Sequence, residues 1–150
     1  MARYFVFDLD GTIGRARLHD DAAPVTCNTL WNLLPFCGPA GHAMLSGTSI
    51  ALYIDASIVI PEENATAFIQ TGDVMFTHYN ERERHGFPEA LSEIYWAYDR
   101  YCRPFAPGKM TPVVPNVFAE FLPDSTEFFA LCRRMRREGT RPLRITGETH

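Results

Sequence analysis

The sequence predicts an α/β protein, and three observations carry that expectation. First, the apolar run Tyr4-Phe5-Val6-Phe7 leads directly into Asp8-Leu9-Asp10-Gly11-Thr12, the pattern of a buried strand ending in a polar turn. Second, Val25, Leu30, Leu33, Leu34 and Cys37 approximate a helical stripe between Pro24 and Gly38. A second apolar strand follows it, Ala43-Met44-Leu45, and closes at Ser46-Gly47-Thr48. Third, strand and helix patterns continue to alternate along the rest of the chain. In open α/β sheets ligands bind beyond the C-terminal strand ends. Two carboxylates one residue apart at such an end are costly to bury without a cation. Asp8 and Asp10 therefore point to a divalent metal with hard oxygen ligands, Mg²⁺.

The remaining elements follow in order. Residues 13–23 read as a polar connection. A short helix over 49–55 leads into a strand over 57–60 and then Pro61-Glu62-Glu63-Asn64-Ala65. Phe68-Ile69-Gln70 and Val74-Met75-Phe76 flank Thr71-Gly72-Asp73, a hairpin signal. Leu91, Ile94, Tyr95, Tyr98 and Cys102 form a 3.6-residue stripe that predicts a helix over 88–103. A Pro-rich stretch over 104–115 precedes a strand over 117–122. Asp124 or Ser125 caps a helix running to Glu138, with Phe128, Phe129, Cys132 and Met135 facing inward. Gly139 ends that helix, and residues 143–146 make a last strand.

The strand followed by Asp8-Leu9-Asp10-Gly11-Thr12 resembles the first motif of the haloacid dehalogenase superfamily of phosphotransferases. The resemblance implies a Rossmannoid parallel core, its front part over residues 1–66, with an inserted α/β cap over 67–150. It makes Asp8 the nucleophile and a Mg²⁺ ligand. It makes Asp10 the acid/base and a second ligand through its backbone carbonyl, with Thr12 fixing the turn. Ser46 resembles the second motif, whose hydroxyl holds the phosphoryl group, and Gly47 allows close backbone approach to an anion. Residues 61–64 resemble an element of the superfamily's sugar-phosphate phosphatases and phosphomannomutases. The expected activity is Mg²⁺-dependent hydrolysis of a small phosphorylated metabolite, a sugar phosphate, through an aspartyl-phosphate. A phosphomannomutase-like activity is a further alternative, although residues 115–121 carry none of the arginines that such a mutase places in its cap. The later phosphate-binding cation and acidic motif are not recognisable, and Lys109 lies in the Pro-rich stretch. A catalytically incomplete fragment or pseudoenzyme that binds phosphate or a partner chain is accordingly the main alternative.

Composition narrows the class. Apolar residues make up 46% and aromatics 13%, which argues against disorder. No apolar run approaches the ~20 residues of a membrane span, and the N-terminal stretch lacks a signal-peptide layout, so a cytoplasmic protein is expected. Cys27, Cys37, Cys102 and Cys132 are scattered and read as buried free thiols. The net charge is −4, yet residues 133–150 hold six arginines and two glutamates. Those arginines mostly occupy the polar face of an amphipathic helix, so nucleic-acid binding is not expected. Five histidines show no zinc spacing. Half a parallel sheet leaves an open edge, which predicts a homo-oligomer or a complementary C-terminal chain as partner.

Overall fold

A computed structural model of the chain describes residues 1–84, 86–105 and 113–150. Eight strands close into one antiparallel barrel: β1 (Arg3–Leu9), β2 (Thr12–Leu18), β3 (Phe36–His42), β4 (Ser49–Ile54), β5 (Asp73–Tyr79), β6 (Leu91–Ala97), β7 (Asn116–Phe121) and β8 (Arg141–Thr149). The order around the barrel is β1-β2-β7-β5-β6-β4-β3-β8. The helices are α1 (Pro24–Asn32) and α2 (Thr126–Glu138). The barrel draws strands from both sides of residue 66.

This corrects the expected fold class. Every strand pairing among the described residues is antiparallel, so a parallel Rossmannoid core with an inserted cap is replaced by a closed barrel. The physical reason begins at Asp10-Gly11. Leu9 pairs with Thr12 across a two-residue turn in which Asp10 (φ 50°) and Gly11 (φ 93°) both take positive φ. That is the type I′ hairpin geometry, and Asp-Gly is a preferred sequence for it. The chain therefore folds straight back into β2 where the α/β reading expected a polar connection. Residues 49–54 form a strand where a helix was predicted, and residues 57–60 lie outside any strand. Residues 91–97 likewise form a strand within the span predicted as a helix. The helix beginning at Pro24, the strand near 117–121, the helix ending at Glu138 and the last strand are present.

The interior is aromatic. Phe5 and Phe7 of β1 point inward with Trp96, Phe118 and Phe121, and the rings of Phe7 and Trp96 meet edge to face at 5.1 Å. Each helix adds an apolar face to this core. Trp31, in α1, stacks on Phe5 at 6.3 Å. From α2, Phe128 stacks on Phe121 at 5.0 Å, and the Trp96 indole N–H donates to Cys132 Sγ at 3.4 Å. Gly14 is what lets Phe128 in: a Cβ there would stand 2.8 Å from both the Phe121 and Phe128 rings.

The stretch over 61–64, which resembles a phosphatase and phosphomannomutase element, ties α1 to the barrel. Ala23, ahead of α1, supplies no side-chain cap. Glu63 caps the helix from outside, accepting the N–H groups of Val25 (3.1 Å) and Thr26 (2.8 Å) and the Thr26 hydroxyl (2.8 Å). Asn116 of β7 completes the strap by donating to Pro61 O and accepting from Glu63 N. Caps of this kind contribute about 1 kcal/mol.

Candidate functional site

The barrel wall presents two kinds of outer surface. On β1 and β2, and around Leu143 and Ile145 of β8, buried residues alternate with ones that keep contact with solvent. Along β6 every residue is buried. A strand buried on both faces means that something covers its outside. Two apolar clusters do so: Met75, Tyr95, Ala97, Cys102 and Val117 in one, Tyr79, Leu91 and Val113 in the other, with Phe87 packed on the second.

Between those clusters runs a polar row. Glu93 of β6 sits directly opposite Tyr53 of β4 on one side and Thr77 of β5 on the other. It is only 5% exposed. A carboxylate in that position needs a partner, and Arg84, from the β5–β6 connection, places its Nη1 3.5 Å from Glu93 Oε2. The same guanidinium lies 5.5 Å from the Tyr79 ring centroid and 5.0 Å from that of Phe87. Phe87 in turn meets Tyr53 edge to face at 5.8 Å. The Tyr95 and Thr77 hydroxyls share a hydrogen bond of 2.8 Å.

The electrostatics follow from this burial. Loss of water pushes the Glu93 carboxyl up from its ordinary 4.5 to about 7, although Arg84 pulls the other way. Burial, reinforced by the nearby Glu93 charge, raises the Tyr79 and Tyr95 hydroxyls well above the usual tyrosine value, so both stay protonated. The row thus holds an acid that changes charge near neutrality, a fixed cation and neutral hydroxyls. Such combinations concentrate at functional sites. Glu93 is hidden in the sequence because Leu91, Ile94, Tyr95, Tyr98 and Cys102 fall at helical spacing around it. The available signal was a single acid inside the otherwise apolar, aromatic-rich Leu91-Ser92-Glu93-Ile94-Tyr95-Trp96-Ala97. Nothing comparable marks Arg84.

The residues singled out from sequence lie elsewhere and fall into two groups. Asp8 and Asp10 line a groove of about 600 Å³ with Gly11, Cys37, Arg141 and Arg144. Asp8 Oδ1 accepts the Gly11 N–H at 2.9 Å, and Asp10 Oδ2 accepts from Arg141 Nη1 at 2.8 Å. Thr12 is the residue paired with Leu9 in the hairpin. Ser46 and Gly47 do not line that groove. They belong to the β3–β4 connection and hold residues 99–105 in place: Ser46 O accepts Arg103 N–H at 2.9 Å, and Ser46 Oγ accepts Phe105 N–H at 3.3 Å. Gly47 has φ 80°, and a Cβ there would overlap the Tyr101 carbonyl oxygen. Lys109 lies outside the described residues.

The Asp10 carboxylate already has a cation beside it, the Arg141 guanidinium. Among the described residues no group of three or more His, Cys, Asp or Glu side chains is arranged to hold a metal ion, which corrects the expectation of a metal-binding protein. Cys27, Cys102 and Cys132 are buried, with thiols pushed up by burial to about 12, 11 and 12, while Cys37 is exposed. No helix among the described residues is long and apolar enough to cross a membrane.

Residues 6–147 match the family described as "Protein of unknown function (DUF3830)", and the chain belongs to that family. No curated protein matches the chain in sequence. Among solved structures it is similar to the structure of McbB in complex with tryptophan, with a TM-score of 0.62 and 15% identity. The match covers 95% of this chain and 44% of the McbB chain, so this chain spans less than half the length of that relative. These findings, with the barrel, overturn the haloacid dehalogenase resemblance. The Mg²⁺-dependent sugar-phosphate phosphatase goes with it, as do the phosphomannomutase alternative and the incomplete-fragment alternative.

Proposed function

We propose that this DUF3830 protein binds a small molecule against the outer face of β4, β6 and β5 and exchanges a proton with it through Glu93. The observation that carries this reading is a carboxylate 5% exposed on the outside of a barrel wall, facing Arg84 and held at about 7. An acid poised near the working pH is efficient both as donor and as acceptor. When Glu93 takes up a proton, Arg84 loses its counter-charge and is free to hold an anionic group of the ligand. Arg84 suits a carboxylate because its fork of donors matches two oxygens at once.

The ligand class follows from the walls. Tyr53 is half-exposed and packs on Phe87, offering aromatic surface beside the charged pair. An aromatic amino acid carries a ring for that surface, a carboxylate for Arg84 and an amine for Glu93. Tryptophan, present in the McbB complex, is one such molecule. The test is an NMR titration with tryptophan, phenylalanine and tryptamine, alongside the variants Glu93→Gln and Arg84→Met. Expected are shifts in the Tyr53, Thr77, Arg84 and Glu93 amides, with affinity for tryptophan at least tenfold weaker in Arg84→Met. Binding to wild type should change proton uptake between pH 6 and 8, and binding to Glu93→Gln should not. Amide shifts confined to other parts of the barrel, or equal affinity in all three proteins, would overturn the reading.

A further inference from the structure

The groove beside Asp8 leads to an inference independent of the Glu93 row. Strand register sets three side chains in a line across it: Asp8 of β1 opposes Arg144 of β8, and Arg144 opposes Cys37 of β3. Residues directly opposite share one face of a sheet, so all three stand on the outside of the barrel. Asp8 and Arg144 nevertheless form no ion pair, and among the described residues no carboxylate lies within ion-pair distance of Arg144. Its Nη1 donates instead to Cys37 Sγ at 3.5 Å. Cys37 is exposed, whereas Cys27, Cys102 and Cys132 are buried, and buried structural thiols are inert. It also has room on two sides. Cys37 lines both the groove of about 600 Å³ that holds Asp8 and Arg144 and a second hollow of about 400 Å³ walled by Leu33, Pro35 and Tyr53. A second donor in the first groove lacks an acceptor. Arg141 gives its Nη groups to Asp10 and Glu138, while its Nε is buried with no hydrogen-bond partner, an unusual state for a buried N–H.

We propose that Cys37 is a modification site that exchanges its thiol with a small disulfide carrying carboxylates. The Cys37 proton goes to water, and the thiolate attacks one sulfur of the disulfide. A bond forms from Cys37 Sγ to that sulfur, the original S–S bond breaks, and the second sulfur leaves as a thiolate. The disulfide is the oxidant: Cys37 is oxidised to a mixed disulfide, and the departing half is reduced to a thiol. Arg144 selects the reagent. Its guanidinium stands where Sγ meets the incoming molecule and holds a carboxylate there through charge-assisted hydrogen bonds. Asp8, directly opposite, works against the same carboxylate and limits the rate. The hollow on the far side of Cys37 receives the apolar part of the molecule.

Two chromogenic disulfides test the proposal: dithiobis(nitrobenzoate), which carries a carboxylate on each half, and the uncharged dithiodipyridine. Release of the coloured thiol is followed near pH 7 on wild type, Cys37→Ser, Arg144→Met and Asp8→Asn, with circular dichroism to check each fold. Wild type should react rapidly at a single thiol, and Cys37→Ser should lose that phase. The readout is the ratio of the anionic probe's rate to the neutral probe's, because any change in the thiol itself cancels from it. That ratio should fall about tenfold in Arg144→Met, the size of one exposed charge contact, and rise in Asp8→Asn. Should Arg144→Met fail to fold, the Asp8→Asn ratio decides alone. Incubation with oxidised glutathione, another carboxylate-bearing disulfide, should add one glutathionyl group to the Cys37 peptide by mass spectrometry, removable with reductant. A wild type whose Cys37 does not react would overturn the proposal. A ratio unmoved by the charge substitutions would overturn it too, by leaving a thiol that is merely accessible.

Discussion

The β1–β8 side of the barrel and the β4–β6–β5 side are built from the same antiparallel ladder, yet their outer faces have opposite chemistry. Asp8 stands on the first, opposite Arg144 in the register, and keeps contact with solvent. Glu93 stands on the second and is sealed under loop residues. Both are single acids in apolar strands. What separates them is cover: a carboxylate buried away from water, as Glu93 is, titrates where its surroundings dictate. The more informative acid is therefore the one that looked least like a motif.

Substitution sharpens this contrast. Tyr95→Ala, on the covered face, should cost about 3–5 kcal/mol, since it empties a fully buried ring site and leaves the Thr77 hydroxyl without its partner. Val6→Ala, outward on β1 and only partly buried, should cost about 1 kcal/mol or less. Urea unfolding of both variants checks the difference, and equal losses would break it.

The pH dependence of stability gives the next largest effect. Glu93 has a folded pKa raised from 4.5 to about 7, so between those values the folded state holds a proton that the unfolded state has released. The Glu93 contribution to stability is then fully present below about pH 4.5, falls as pH rises, and is lost above about 7, a loss on the order of 3 kcal/mol. In Glu93→Gln this slope should vanish. Melting temperatures of both proteins from pH 5 to 8 read it directly. At the small end, Asp8→Asn should change stability by no more than about 0.5 kcal/mol, because the amide oxygen still accepts the Gly11 N–H.

The same contrast explains what could be read from the sequence. β7, α2 and β8 were recognisable because residues 117–146 carry a short strand, a strongly amphipathic helix, a closing Gly139 and a second strand with little ambiguity. β6 was not, because a strand buried on both faces shows no alternation, and its aromatics happened to fall at helical spacing. Asp10-Gly11 fits a catalytic motif and reads there as its turn, yet the same dipeptide suits a tight hairpin, and its two positive φ angles decide for the hairpin. Barrel closure was hidden altogether, since β1 pairs with β8 from the other end of the chain. The candidate site shared that fate: Tyr53, Thr77, Arg84 and Glu93 come from four separate stretches, united by the strand register and, for Arg84, by its ion pair with Glu93.

The central claim is that the Glu93 carboxyl titrates near neutrality on a covered barrel face. A carboxyl-carbon NMR titration of the ¹³C-glutamate-labelled protein, with Glu93→Gln to assign the resonance, tests it most directly. The account predicts a midpoint near 7, moving higher in Arg84→Met as the lowering effect of the guanidinium is lost. A midpoint near the ordinary 4.5, unmoved by that substitution, would contradict it.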